Sequence, residues 1–311
     1  MSKIAVVQSP PVLLDRDRSI EKAVGLVAEA AADGAELIVF PETFVPGYPI
    51  WMWRLRPGGD MALTNELYRR LFESAVDLEG DDLAPIQAAA KRHSVTVVCG
   101  LNERDGSSSR GTLYNTVVVI GEDGVLLNRH RKLMPTNPER MVHGFGDASG
   151  LKVIESPVGR IGTLLCWESY MPLARYALYA QGVEIYIAPT YDSGDAWIGT
   201  MQHIAREGRC WVIGSGFVLR AADIPESFPH RDELYPDPDA WVNPGDSVVI
   251  SPDGEISAGP MRREEGILAA EVDLSAVGVA RRSLDVAGHY SRPDVFTLRV
   301  NTEPQRPITM E

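Results

Sequence analysis

Cysteine is scarce in this chain: three in 311 residues, Cys99, Cys166 and Cys210. The count is odd and no CxxC pair occurs, which argues against a disulfide scaffold or a zinc-thiolate site. The N-terminus enters the apolar run Ile4-Ala5-Val6-Val7 without the features of a secretory leader, so a reduced, cytoplasmic protein is expected. No apolar run reaches the roughly 18 residues that a membrane span needs, and no membrane partner is expected. The six histidines fall at no metal-ligand spacing such as HExxH, so neither a metal nor another cofactor is expected. Basic charge is also short. Thirty Lys and Arg face 43 Asp and Glu, for a net charge of -13. Nucleic-acid binders usually show a basic face, so none is expected as a partner.

What remains is an ordinary soluble composition, 44% hydrophobic and 23% charged. The first unit reads as strand, helix, strand. Ser19 is placed to cap a helix whose apolar face runs Ile20, Ala23, Val24, Val27, Ala31, with Gly34 ending it. Leu37-Ile38-Val39-Phe40 is a short continuous apolar run of the kind buried on both faces of a sheet. The pattern recurs: a helix near 82–93, a strand from Val95, a hairpin turning at Asp123-Gly124, a strand over 161–165 and a helix after it. A strand over 184–188, a helix near 195–208, a strand over 211–214 and a hairpin at Asp253-Gly254 follow. Strands alternating with helices, plus hairpins, predict a mixed α/β fold. No linker divides the chain, so residues 1–298 are expected to form a single domain, with 299–311 as a mobile tail. The proline-rich stretch 222–246 is the longest segment predicted to be irregular.

Three polar residues end apolar strands: Glu42 after Leu37–Phe40, Lys132 after the strand from Val125, and Cys166 after Ile161–Leu165. In α/β sheets ligands bind beyond the carboxyl ends of strands, where a carboxylate, an amine and a thiol would converge. That set suffices for acyl-type transfer. A thiol with an ordinary pKa near 8.5 needs a base, a cation or a helix N-terminus to become a good nucleophile. Glu42 would be the base, Lys132 the cation, and the helix after Cys166 the dipole. Position alone does not assign these roles. A cysteine at a strand end is more often a small buried hydrophobe, and a lysine in Arg129-His130-Arg131-Lys132 more often part of a solvated patch.

Three blocks resemble the signatures of the nitrilase superfamily, in the family order: Pro41-Glu42-Thr43-Phe44, His130–Thr136 and Leu165-Cys166-Trp167-Glu168-Ser169-Tyr170. Val45–Pro49, Asn137–Asp147, Met171–Tyr176 and His289–Phe296 are similar to the true nitrilase branch. The resemblance spans roughly residues 3 to 298. It implies a four-layer αββα sandwich, with Glu42 as general base, Lys132 as stabilising cation and Cys166 as nucleophile. Glu139 would be a second glutamate of the catalytic set, and the Trp167 amide an oxyanion-type donor. The implied reaction is hydrolysis of a small-molecule nitrile to an acid and ammonia, with an amide by-product at one branch. Two departures stand out: His143 where relatives often carry tryptophan, and Ala148 where a glycine is usual.

Tyr48, Tyr191, Trp167 and His143 are the candidate substrate-binding residues, with Trp51, Trp53 and Tyr170 as further aromatic candidates; core packing is the alternative for the buried ones. His143 and His289 raise a Cys-His hydrolase, but no signature of such a family surrounds them. Rivals within the superfamily are an amidase, a carbamoylase and a cyanide-degrading enzyme. Further rivals are an N-acyltransferase using the same cysteine and a non-catalytic scaffold. The helix Met171–Gln181 carries apolar residues on more than one face. The resemblance implies a homodimer through it, or a larger spiral homo-oligomer using the 222–246 insertion.

Overall fold

The computed structural model describes residues 1–306 and 308. Its first half is built by strands that are apolar at every position because both of their faces are covered. Strand β1 (Ser2–Gln8) leads into helix α1 (Arg16–Ala32), capped by Asp15, whose side chain accepts from the Arg18 amide. Ser19, the expected cap, is instead inside the helix, buried, and bonds back to Val12. Next come β2 (Leu37–Val39), α2 (Met61–Ser74), α3 (Ala84–His93), β3 (Thr96–Arg104), β4 (Leu113–Ile120) and β5 (Leu126–Arg131).

The second half repeats the scheme. Strands β6 (Ile154–Ser156) and β7 (Gly159–Thr163) precede α4 (Pro172–Tyr179), β8 (Ile185–Thr190), α5 (Asp195–Gly208) and β9 (Trp211–Gly216). Strand β10 (Val218–Arg220), the short helix α6 (Arg231–Leu234), β11 (Trp241–Ile250), β12 (Ile256–Arg262), β13 (Gly266–Val272) and α7 (Ser275–Arg281) complete the described elements.

Two sheets result. One has the order β13-β1-β2-β3-β4-β5; the other runs β10-β11-β9-β8-β7-β6, with β12 paired to β11. Their inner faces meet through Ile4, Val6, Leu37, Val39, Val98, Val117 and Val119 from one sheet. Ile161, Ile185, Ile187, Ile213 and Val249 answer from the other. The alternate residues of the same strands face outward. Ala5, Val7, Ile38, Val97 and Val118 pack under α1 and α3. Tyr186, Ala188, Val212 and Val248 pack under α4 and α5. Period-two alternation therefore yields four layers, helix-sheet-sheet-helix, the αββα sandwich that the resemblance implied.

The proline-rich stretch is more ordered than its composition predicts. It holds a 3₁₀ turn (Ala221–Asp223) and α6, and from Trp241 it enters β11. The reason is apolar anchoring between the prolines. Ile224, Phe228 and Tyr235 are buried beside Trp51, Leu67 and Leu71. Residues 299–306 are exposed, and the Gln305 amide donates to Asp147 at 2.8 Å. Residues 307 and 309–311 of the expected tail lie outside the described residues.

Candidate active site

The site sits where the two sheets meet at the carboxyl ends of their strands. Glu42 follows β2 and Lys132 follows β5, both in the six-stranded sheet; Cys166 follows β7 in the seven-stranded one. Glu42, Lys132 and Glu139 are each fully buried. Lys132 Nζ donates to Glu42 Oε1 at 2.7 Å and to Glu139 Oε1 and Oε2 at 3.0 and 2.8 Å. Other donors fix each carboxylate. Asn115 Nδ2 and the Tyr191 amide donate to Glu42, both at 2.7 Å. The Tyr48 hydroxyl, at 2.7 Å, and the Thr136 amide, at 3.0 Å, donate to Glu139.

One ammonium between two carboxylates cannot neutralise both, and their environments push them apart. Burial raises the Glu42 carboxyl, and Lys132 offsets this only in part. Burial also opposes ionisation of Glu139, but the Lys132 charge and the hydrogen bonds to that side chain outweigh it, so Glu139 is held below the ordinary glutamate range. Lys132 itself stays an ammonium: burial opposes the charge, and the two carboxylates overcome it. Paired carboxylates with separated affinities are suited to different duties, one exchanging protons and one holding fixed charge.

Cys166 is 4% exposed and has φ +51°, a left-handed backbone uncommon for a residue with a side chain. Burial, then the negative charge of Glu42, raises its thiol far above the ordinary value. That direction favours the protonated sulfur, and a thiol in this state becomes a good nucleophile only when a base removes its proton. The expected activating helix does not begin at Cys166. A five-residue 3₁₀ turn (Cys166–Tyr170) comes first, and α4 starts only at Pro172. The Trp167 amide lies in the first positions of that turn, where N–H groups have no partner within it.

A cleft of about 280 Å³ opens over the sulfur. Cys166 and Glu139 contribute to its lining, with the rings of Tyr48, Trp53, Trp167 and Tyr191 around them. Tyr48 and Tyr191 stack at 3.9 Å between centroids. Trp167 is half exposed, and its indole N–H donates to Asp192 at 2.8 Å. His143 is not among the residues lining the cleft. It is buried, and its Nε2 lies 2.8 Å from Asn102 Oδ1. Because Asn102 Nδ2 donates to the Gly47 carbonyl, that oxygen is the free acceptor, and the imidazole donates through Nε2. Burial pushes the imidazole down to about 4, so it is neutral near pH 7. Trp51 is likewise core, and His289 is exposed. Sequence reasoning missed Asn115, an amide on a strand whose partner, Glu42, is 73 residues away.

Residues 3–282 match the family described as carbon-nitrogen hydrolase. The chain belongs to the carbon-nitrogen hydrolase family. This carbon-nitrogen hydrolase is 42% identical over 311 residues to a bifunctional nitrilase/nitrile hydratase of Lupinus angustifolius, covering 99% of the chain and 88% of that protein. It is 41% identical over 312 residues to an aliphatic nitrilase of Sinorhizobium fredii, covering 98% and 97%. Its fold is similar to a carbon-nitrogen hydrolase from Helicobacter pylori, with TM-score 0.69, 23% identity, and 91% and 92% of the two chains covered. It is also similar to the NitFhit protein of C. elegans, with TM-score 0.73, 20% identity, and 98% and 68% covered.

Proposed function

We propose that this carbon-nitrogen hydrolase converts an organic nitrile to its carboxylic acid and ammonia through intermediates bound to Cys166. The observation that carries the reading is the buried Glu42–Lys132–Glu139 cluster beneath a cleft that contains the thiol. Glu42, with its raised carboxyl, takes the thiol proton. The thiolate attacks the nitrile carbon, and negative charge develops on nitrogen. Lys132 and the Trp167 amide stabilise that charge, usually the largest single catalytic contribution. Nitrogen takes up a proton, giving a thioimidate. Water activated by Glu42 adds to its carbon, ammonia leaves, and a second water releases the acid from the thioester. If the sulfur leaves instead of ammonia, the product is the amide. Glu139, ionised and paired with Lys132, keeps the ammonium charged and in place.

The half-buried and exposed apolar groups of the Tyr170–Tyr179 region, Leu173 at 66% exposure among them, support self-association into a homodimer or a longer spiral. Sedimentation that shows only monomer overturns this. No helix among the described residues is long and apolar enough to cross a membrane. The three free, buried cysteines suit a reducing cytoplasm.

The test is ammonia release from a panel of aliphatic nitriles, arylacetonitriles, aromatic nitriles and cyanide. At least one class is turned over, and Cys166→Ala reduces that rate to background while staying folded. A Cys166→Ala variant with the wild-type rate would refute the reading.

A further inference from the structure

A site whose parts stand on two different sheets needs something to hold the sheets in register there. Hydrophobic packing between sheets is non-directional and does not by itself set a bond-length geometry. Glu168 supplies directional bonds at this point. It is fully buried, yet it lies two residues beyond Cys166 in a turn beside the cleft. Its Oε2 accepts from the Leu165 amide at 2.7 Å, the residue immediately before the nucleophile. Its Oε1 accepts from the Leu133 amide at 2.6 Å, the residue immediately after Lys132. Both oxygens lie 3.1–3.2 Å from His130 Nε2, two residues before Lys132 on β5. One carboxylate thus touches the backbone on the inner flank of the thiol and brackets Lys132 on both sides.

We propose that Glu168 is a positioning residue that clamps the Cys166 turn to the Lys132 strand end, so that sulfur and ammonium keep a fixed separation across the sandwich. The inference rests on the nitrile-hydrolase reading for the consequence but not for the geometry. The bonds are charge-assisted and run to backbone donors, the kind that hold position most firmly. They also explain how Cys166 is kept at φ +51°: both the residue before it and the turn after it are tied to one anchored side chain. A glutamine cannot replace the carboxylate without loss. Its oxygen can serve one backbone amide, but its NH₂ group then faces the other amide, donor against donor.

The role is tested with Glu168→Gln and His130→Gln. The latter keeps an N–H donor near the carboxylate, and Cys166→Ala is the control. Thermal melts and circular dichroism define the folded fraction, and iodoacetamide labelling counts accessible Cys166. The expected result for Glu168→Gln is a kcat per folded site reduced about 10²-fold, as for an ångström-scale misplacement, with KM changed less than threefold. The rate of Cys166 alkylation falls in parallel, whereas His130→Gln loses far less kcat than Glu168→Gln because both backbone bonds to the carboxylate remain. A merely structural role would lower the melting temperature while leaving kcat per folded site and the alkylation rate at wild-type values, and that outcome overturns the proposal. Absence of nitrile turnover in the wild-type enzyme would instead reject the proposed function. Alkylation rates would still report on the clamp.

Discussion

Gly100 is the most instructive position to perturb, because it lies behind the buried Glu42–Lys132–Glu139 cluster and touches none of its side chains. It sits in β3 opposite Val117 of β4, and its carbonyl accepts from the Val45 amide. A Cβ built there would stand 2.3 Å from the Pro41 carbonyl oxygen, 2.6 Å from the Thr43 nitrogen and 2.8 Å from Glu42 Cα. Ordinary contact starts near 3.4 Å, so about 1 Å must be found. All three obstacles are backbone, and none can rotate aside. Gly100→Ala therefore pushes the Pro41–Thr43 segment away from β3 and carries Glu42 off its 2.7 Å bond with Lys132. Overpacking of this kind costs about 1–3 kcal/mol of stability. A 1 Å misplacement of a catalytic group costs on the order of 10²-fold in rate. The assay is kcat for ammonia release per titrated Cys166 thiol, with urea unfolding measured on the same preparation. A folded Gly100→Ala enzyme with kcat within twofold of wild type and an unchanged unfolding midpoint would refute the reasoning.

Two further perturbations follow from the same geometry. Tyr48→Phe removes a 2.7 Å hydrogen bond to the Glu139 carboxylate while keeping the ring stacked on Tyr191. A hydrogen bond to a charge is worth about 1.5–3 kcal/mol, so steady-state kinetics should show kcat/KM reduced roughly 10- to 100-fold. His143, pushed by burial from 6.5 to about 4, binds a proton more readily unfolded than folded. Its neutral burial contributes stability that is complete above the unfolded value and is lost as pH falls from 6.5 toward 4, on the order of 3 kcal/mol at most. Urea unfolding of wild type and His143→Gln at pH 7 and pH 4.5 should show a smaller acid-induced loss in the variant.

The layers were legible because burial on both faces writes continuous apolar runs, as in Leu37–Phe40, and polar residues abruptly end them. The catalytic candidates were legible by position and, more sharply, by resemblance. Cys99, Cys166 and Cys210 are all buried, and only the company of Cys166 singles it out. Other features had no local signal. The donors to Glu168 are mostly backbone amides, which carry no mark in a sequence. The order of 222–246 comes from Phe228 and Tyr235 meeting Trp51, a tertiary effect that the prolines mask. His143 reads as a polar ring near a site; only the fold shows it turned inward to Asn102.

The division of Glu42 and Lys132 from Cys166 between two sheets makes the reaction a gauge of shear. Each sheet is stiff along its hydrogen-bonded ladders, whereas the plane between them is held mainly by side-chain packing. A slip of one sheet past the other by a fraction of a bond length would leave every strand intact and still part the Cys166 thiol from Glu42, its proposed base. Turnover should therefore fail at milder pressure or denaturant than the strands themselves do.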